Sequence, residues 1–130
     1  MLYELDVGKH SEAEILGTFW EMNEHPKKVQ EFANQLFQGT VGQLQTIDKI
    51  VQRHTQHWRL SRMAVVDRNI LRLAVFEFLS HARTPGTVVI NEALEIAKRF
   101  STNESAQFVN GILDSIKKEL EEEMLKEEEP

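Results

Sequence analysis

The sequence predicts an all-α fold, and three observations carry that prediction. Apolar residues recur at intervals of three and four along nearly the whole chain, no stretch alternates as a half-buried strand would, and only six glycines and three prolines interrupt 130 residues. At this length one domain is expected, large enough to bury a core and too small to add an accessory domain to a catalytic one.

The elements follow from the punctuation. A first helical stub carries Leu2, Tyr3 and Leu5 and closes at Gly8. Ser11 is placed to cap a second helix in which Ile15, Leu16, Phe19 and Trp20 share a face, and Pro26 stands where a third begins. That third pattern is long, with Val29, Phe32, Ala33, Leu36, Phe37, Val41, Leu44, Ile47, Ile50 and Val51 in helical register; Gly39 and Gly42 are its expected bending points. After a connection around Trp58 to Arg62, the stretch Asp67 to Leu79 is apolar almost all the way round, as a centrally buried helix is. Pro85 and Gly86 break the chain and Thr87 is the expected cap of the next helix, with Ala93, Leu94, Ile96, Ala97 and Phe100 facing inward. Ser101 and Glu104 have capping-box spacing, which starts a last helix through Phe108, Val109, Ile112, Leu113, Ile116 and Leu120. Beyond it, high charge and low apolar content predict that the Glu-rich end is disordered.

Composition excludes several chemistries. Without cysteine there is no disulfide, thiolate catalysis or Cys-ligated metal. No apolar run approaches the roughly 18 residues of a membrane span, so the chain reads as cytoplasmic, with no membrane partner. The net charge of −6 argues against nucleic acid until its distribution is considered. Residues 117–130 hold three lysines and seven glutamates, a net of −4, which leaves −2 for residues 1–116. Arg53, His54, His57, Arg59, Arg62, Arg68 and Arg72 fall in one segment whose only acid is Asp67, so a basic stretch is masked by an acidic tail.

Few residues point to chemistry on their own. His54 and His57 have a spacing that can place two imidazoles on one metal, but no third ligand stands near and a solvated helix face is expected instead; no metal or other cofactor is predicted. His10, His25 and His81 lie at element edges and read as surface positions. Neither "QGTVG" nor "TPGT" has the phosphate-cradling pattern, no nucleophile motif is present, and Glu92 and Glu95 read as ordinary exposed positions, so no catalytic residue is proposed. Arg68 and Arg72 project from one side of an apolar helix, either as a solvated face paired with acids elsewhere or as phosphate contacts. Phe108 has core spacing, yet follows Ser105 and Gln107 at a helix start, where unpaired amides attract phosphate and an aromatic ring can stack an unpaired base. Asn110 and Gly111 are costly inside a helix, so close packing or a polar contact is expected there.

Three blocks, "RLSRMAVVDRNILRLAVFEFL" after Trp58, "TPGTVVINEALEIAKRF" and "NESAQFVNGILDSI", have an order and spacing that resemble the NusB family of bacterial transcription antitermination factors. The resemblance runs from Met1 to about Ile116. It implies two packed three-helix bundles, about 1–57 and about 58–120, within one domain over 1–120, followed by the acidic tail over 121–130. It also implies a non-enzymatic RNA-binding function, exercised with the ribosomal protein NusE on a single-stranded RNA signal of ribosomal RNA operons, within the RNA polymerase antitermination complex. The residues it singles out for RNA are Tyr3, Arg72, Ser105, Gln107 and Phe108, while Asp67 and Arg68 match the surface that receives NusE. Where the family shows an Arg- and Ala-rich segment before "A-L-Y", this chain begins with Met1, Leu2 and Tyr3. That departure keeps a second expectation open, a helical interaction scaffold of the same fold that has lost useful RNA affinity and takes a second copy of itself as partner, a homodimer. The RNA-targeting domain of an RNA cytosine methyltransferase has a similar fold, but no methyltransferase domain follows here.

Overall fold

A computed structural model describes residues 2–7, 11–15, 27–55, 63–80 and 84–128, and every regular element among them is helical. The helices are α1 (Leu2–Val7), α2 (Lys27–Gly42), α3 (Leu44–Arg53), α4 (Val65–Leu79), α5 (Gly86–Phe100) and α6 (Asn103–Glu128). The all-α expectation holds. Residues 12–15 form one more helical turn, and Ser11 opens it as its position predicts: its Oγ accepts from the Glu14 amide at 3.2 Å. The expectations for Leu16, Phe19, Trp20, Pro26, His10, His25, His57, His81 and the Trp58–Arg62 connection fall outside the described residues.

Helix α4 is the hub, packing against α1, α2, α3, α5 and α6. Its all-round apolar sequence is the consequence, since a helix with neighbours on every side has no solvated face. The larger buried cluster joins α3 (Ile47, Ile50, Val51), α4 (Ile70, Leu71, Ala74, Val75), α5 (Val89, Ile90, Ala93, Ala97) and α6 (Ala106, Val109, Ile112, Leu113, Ile116). A smaller one gathers Leu2, Ile15 and Phe37, with Leu5, Val41 and Leu73 packed against it. Ile47, Ile50 and Val51, which the expected division assigns to the first bundle, thus contribute to the larger cluster.

Several local expectations are corrected. The long third pattern is two helices and not one, broken at Gln43 (φ −117°, ψ 18°) immediately after Gly42, which is one of its two expected bending points. Gly39 serves packing instead of bending: a Cβ there would overlap the Phe76 ring, so its absence lets α2 approach α4. Helix α5 starts at Gly86 with Pro85 at its N-cap, leaving Thr87 inside the first turn. Its inward face is Val89, Ile90, Ala93 and Ala97, whereas Ile96 and Phe100 are exposed. Gly111 is exposed with open space where a Cβ would stand, and Asn110 is exposed too, so helix packing does not account for either residue. Finally, α6 continues to Glu128 where a disordered tail is expected. Glu, Lys, Leu and Met are strong helix formers, and the Lys117–Glu121 and Asp114–Lys118 pairs one turn apart add support that composition alone conceals.

His54, expected on a solvated face, is instead tied to α6. One ring nitrogen meets Ser115 Oγ at 2.8 Å and the other meets the Glu119 carboxylate, which also pairs with Arg53 at 3.0 Å. Among the described residues no group of three potential ligands could hold a metal, and no helix is long and apolar enough to cross a membrane.

Candidate functional site

The first turn of α6 is capped by Thr102, one residue later than the predicted capping box. The Ser105 amide donates to Thr102 Oγ1 at 3.0 Å, and Thr102 Oγ1 donates to Ser105 Oγ at 3.2 Å. Ser101 belongs to the preceding element, as the C-cap of α5. The sequence "STNES" offers both Ser/Thr caps at the same spacing, and the end of α5 decides between them. Beside this turn lies a cleft of about 330 Å³ lined by Met63, Ala64, Asp67, Thr102, Glu104, Ser105 and Phe108. Phe108 is half-buried, its inner side packed on the larger cluster. Asp67 comes from the first turn of α4 and is 6 % exposed; its Oδ1 is buried with no hydrogen-bond partner. A buried carboxylate oxygen without a donor is costly.

One residue further along α4, the chemistry is already satisfied. Arg68 forms a two-pronged pair with Asp6 of α1, Nε to Oδ2 at 2.8 Å and Nη2 to Oδ1 at 2.7 Å. Arg72 forms a second such pair with Asp48 of α3, Nε to Oδ1 at 2.8 Å and Nη2 to Oδ2 at 3.0 Å. Its Nη1 donates both to Asp6 Oδ2 at 3.1 Å and to Asn69 Oδ1 at 3.0 Å. Both guanidinium side chains are close to nine-tenths buried. Planar forks facing carboxylates in this way make strong charge-assisted bonds, and two arginines against two aspartates leave the cluster neutral.

Comparison with known proteins places this architecture. The sequence matches the NusB family over residues 1–118. The transcription antitermination protein NusB of Koribacter versatilis is 49 % identical over 127 residues, covering 97 % of this chain and 87 % of that protein. The chain belongs to the NusB family. Among solved structures, T. maritima NusB superposes with a TM-score of 0.82 at 39 % identity, covering 91 % of this chain and 83 % of that one. A chain from the crystal structure of antitermination factors NusB and NusE in complex with dsRNA superposes with a TM-score of 0.78 at 29 % identity, covering 90 % and 87 %.

Against that frame the residues expected from the NusB resemblance separate into groups. Ser105, Phe108 and Asp67 share the cleft at the start of α6. Gln107 does not: it borders a different depression with Leu94, Lys98, Asn103, Ala106 and Asn110, because two helical steps from Ser105 turn it to the other side. Tyr3 is exposed on α1, three residues before Asp6. Arg72, expected at the RNA, and Arg68, expected at NusE, are both turned inward to the aspartates, so the paired alternative describes them and the direct contacts lose their basis. Sequence reasoning missed Asp6 and Asp48. Neither has a local signal, since each meets its arginine only through the packing of α1 and α3 on α4.

Proposed function

We propose that this chain is a non-enzymatic, RNA-binding transcription antitermination factor that acts with the ribosomal protein NusE on a single-stranded RNA signal, as part of the RNA polymerase antitermination complex. One observation carries the reading within this chain: the cleft at the start of α6, where the Phe108 ring and the Ser105 hydroxyl stand together at a helix N-terminus. Phe108 stacks a base, Ser105 and the first amides of α6 meet a phosphate, and Asp67 belongs to the surface that receives NusE. Tyr3 adds a second exposed aromatic, and Gln107 a polar contact on the neighbouring face. Family membership and the NusB–NusE–RNA structural neighbour support the partner set. We further propose that the chain forms one domain of two bundles, about 1–57 and 58–120.

The alternative is a NusB-fold scaffold without useful RNA affinity, and the withdrawal of Arg68 and Arg72 into internal pairs favours it. The test is Phe108→Ala, titrated with labelled single-stranded RNA from a ribosomal RNA leader, NusE present, well below the melting temperature. Loss of the stack costs about 1–3 kcal/mol of binding. If affinity is intact and only the melting temperature falls, Phe108 is core alone and the scaffold reading takes over.

A further inference from the structure

Helix α1 has six residues, too few to be stable by its own hydrogen bonds, so its place is set by what it docks on. Among its described side chains the apolar contacts are Leu2, buried in the smaller cluster, and Leu5 beside it. These two side chains fix depth but not rotation, because apolar contact is non-directional. Direction comes from Asp6, whose two oxygens accept three hydrogen bonds, from Arg68 Nε and Nη2 and from Arg72 Nη1. Arg72 is itself oriented by Asp48 of α3 through Nε and Nη2. The chain therefore holds α1, α3 and α4 in one partly buried ionic junction, and Tyr3 is exposed less than one turn from the residue that locks it.

We propose that Asp6 is a positioning residue for RNA: gripped by Arg68 and Arg72, it fixes the rotation of α1 and so the direction in which Tyr3 meets the nucleic acid, with Asp48 orienting Arg72 for the grip. The proposal rests on the RNA-binding reading above. It gives Arg72 an indirect part in RNA binding in place of a phosphate contact, and it makes a prediction opposite in sign to simple electrostatics. Removing a negative charge from an RNA-binding protein should tighten binding by reducing repulsion. Removing this one should weaken it.

The test uses the full chain with NusE and labelled single-stranded RNA from a ribosomal RNA leader, comparing Asp6→Asn, Asp48→Asn, Tyr3→Ala and the Asp6→Asn/Tyr3→Ala double variant. Asparagine keeps the shape while removing the charge, and circular dichroism with thermal melting establishes the folded fraction at the titration temperature. Asp6→Asn is expected to lower affinity toward the roughly five- to 150-fold that loss of one aromatic–base stack costs. Asp48→Asn should lower it less. In the Tyr3→Ala background Asp6→Asn should add little, because both act on one contact. The log-log salt slope should stay unchanged, since no phosphate contact is removed. Unchanged or tighter binding by Asp6→Asn overturns the proposal, as does a loss that multiplies fully with that of Tyr3→Ala. If the unmodified chain does not bind the RNA, the underlying reading fails first; if it binds and Asp6→Asn binds equally, only the positioning role fails.

Discussion

Helices α1 and α6 are held by opposite means. α6 buries Ala106, Val109, Ile112, Leu113 and Ile116 along one side, so its position is secured by apolar area spread over several turns. Among the described side chains, α1 has Leu2 and Leu5 for apolar contact and Asp6 between two arginines. Apolar area gives stability with little directional preference, whereas forked ion pairs give direction with little net stability once desolvation is counted. The two aromatic residues proposed for RNA therefore differ: Phe108 packs against the larger cluster, and Tyr3 stands on a helix whose setting depends on a few polar contacts. Local opening of α1 should cost less than global unfolding, and its amides should exchange accordingly.

The largest effect is expected on the apolar side. Leu113→Ala, at a fully buried position, should destabilise the protein by about 2–5 kcal/mol. Denaturant unfolding checks this. The loss should appear as an earlier global transition, in contrast to Asp6→Asn, whose faster hydrogen exchange should be concentrated in α1. A loss below about 1 kcal/mol from Leu113→Ala would mean that α6 is not anchored by its apolar face.

A smaller effect of opposite sign is expected within α6. Gly111 is exposed and a Cβ meets nothing, so Gly111→Ala should raise stability by about 0.8–1 kcal/mol through helix propensity alone. A melting curve decides the sign. If the variant is more stable but binds RNA or NusE less well, the glycine is retained for close approach by a partner, a requirement invisible in the packing of the free chain.

The smallest effect concerns a charge at the edge of the large cluster. Burial pushes the Glu77 carboxyl above its ordinary value, and the charge of Glu92 adds to the shift. The folded chain therefore binds this proton more readily than the unfolded one, and the group's contribution to stability is best at low pH and declines as pH rises through the raised value. Glu77→Gln should stabilise at neutral pH, within about 0.5 kcal/mol, and the gain should disappear below the carboxylate range. Melting temperatures across a pH series test both statements; a gain that grows as the pH is lowered would reverse the assignment.

Much of this was legible from local pattern. The helical class, the central place of α4, the Ser11 cap and the interest of Ser105 and Phe108 all depend on residues a few positions apart, and periodicity with capping chemistry acts over that range. The RNA-directed readings of Ser105 and Phe108 remain proposals for experiment, but their meeting in one cleft with Asp67 belongs to the packing of α4 against α6. Which charges meet, by contrast, is set by how the helices pack. Arg68 and Arg72 look alike whether they face solvent, phosphate or carboxylate; their pairing with Asp6, 62 and 66 residues away, follows from α1 docking on α4. The same holds for His54 with Glu119, 65 residues apart, and for the choice of Thr102 over Ser101, set by where α5 ends. Apolar spacing is written in neighbouring residues, while the partner of a charge is settled by the three-dimensional arrangement that burial of those apolar faces creates.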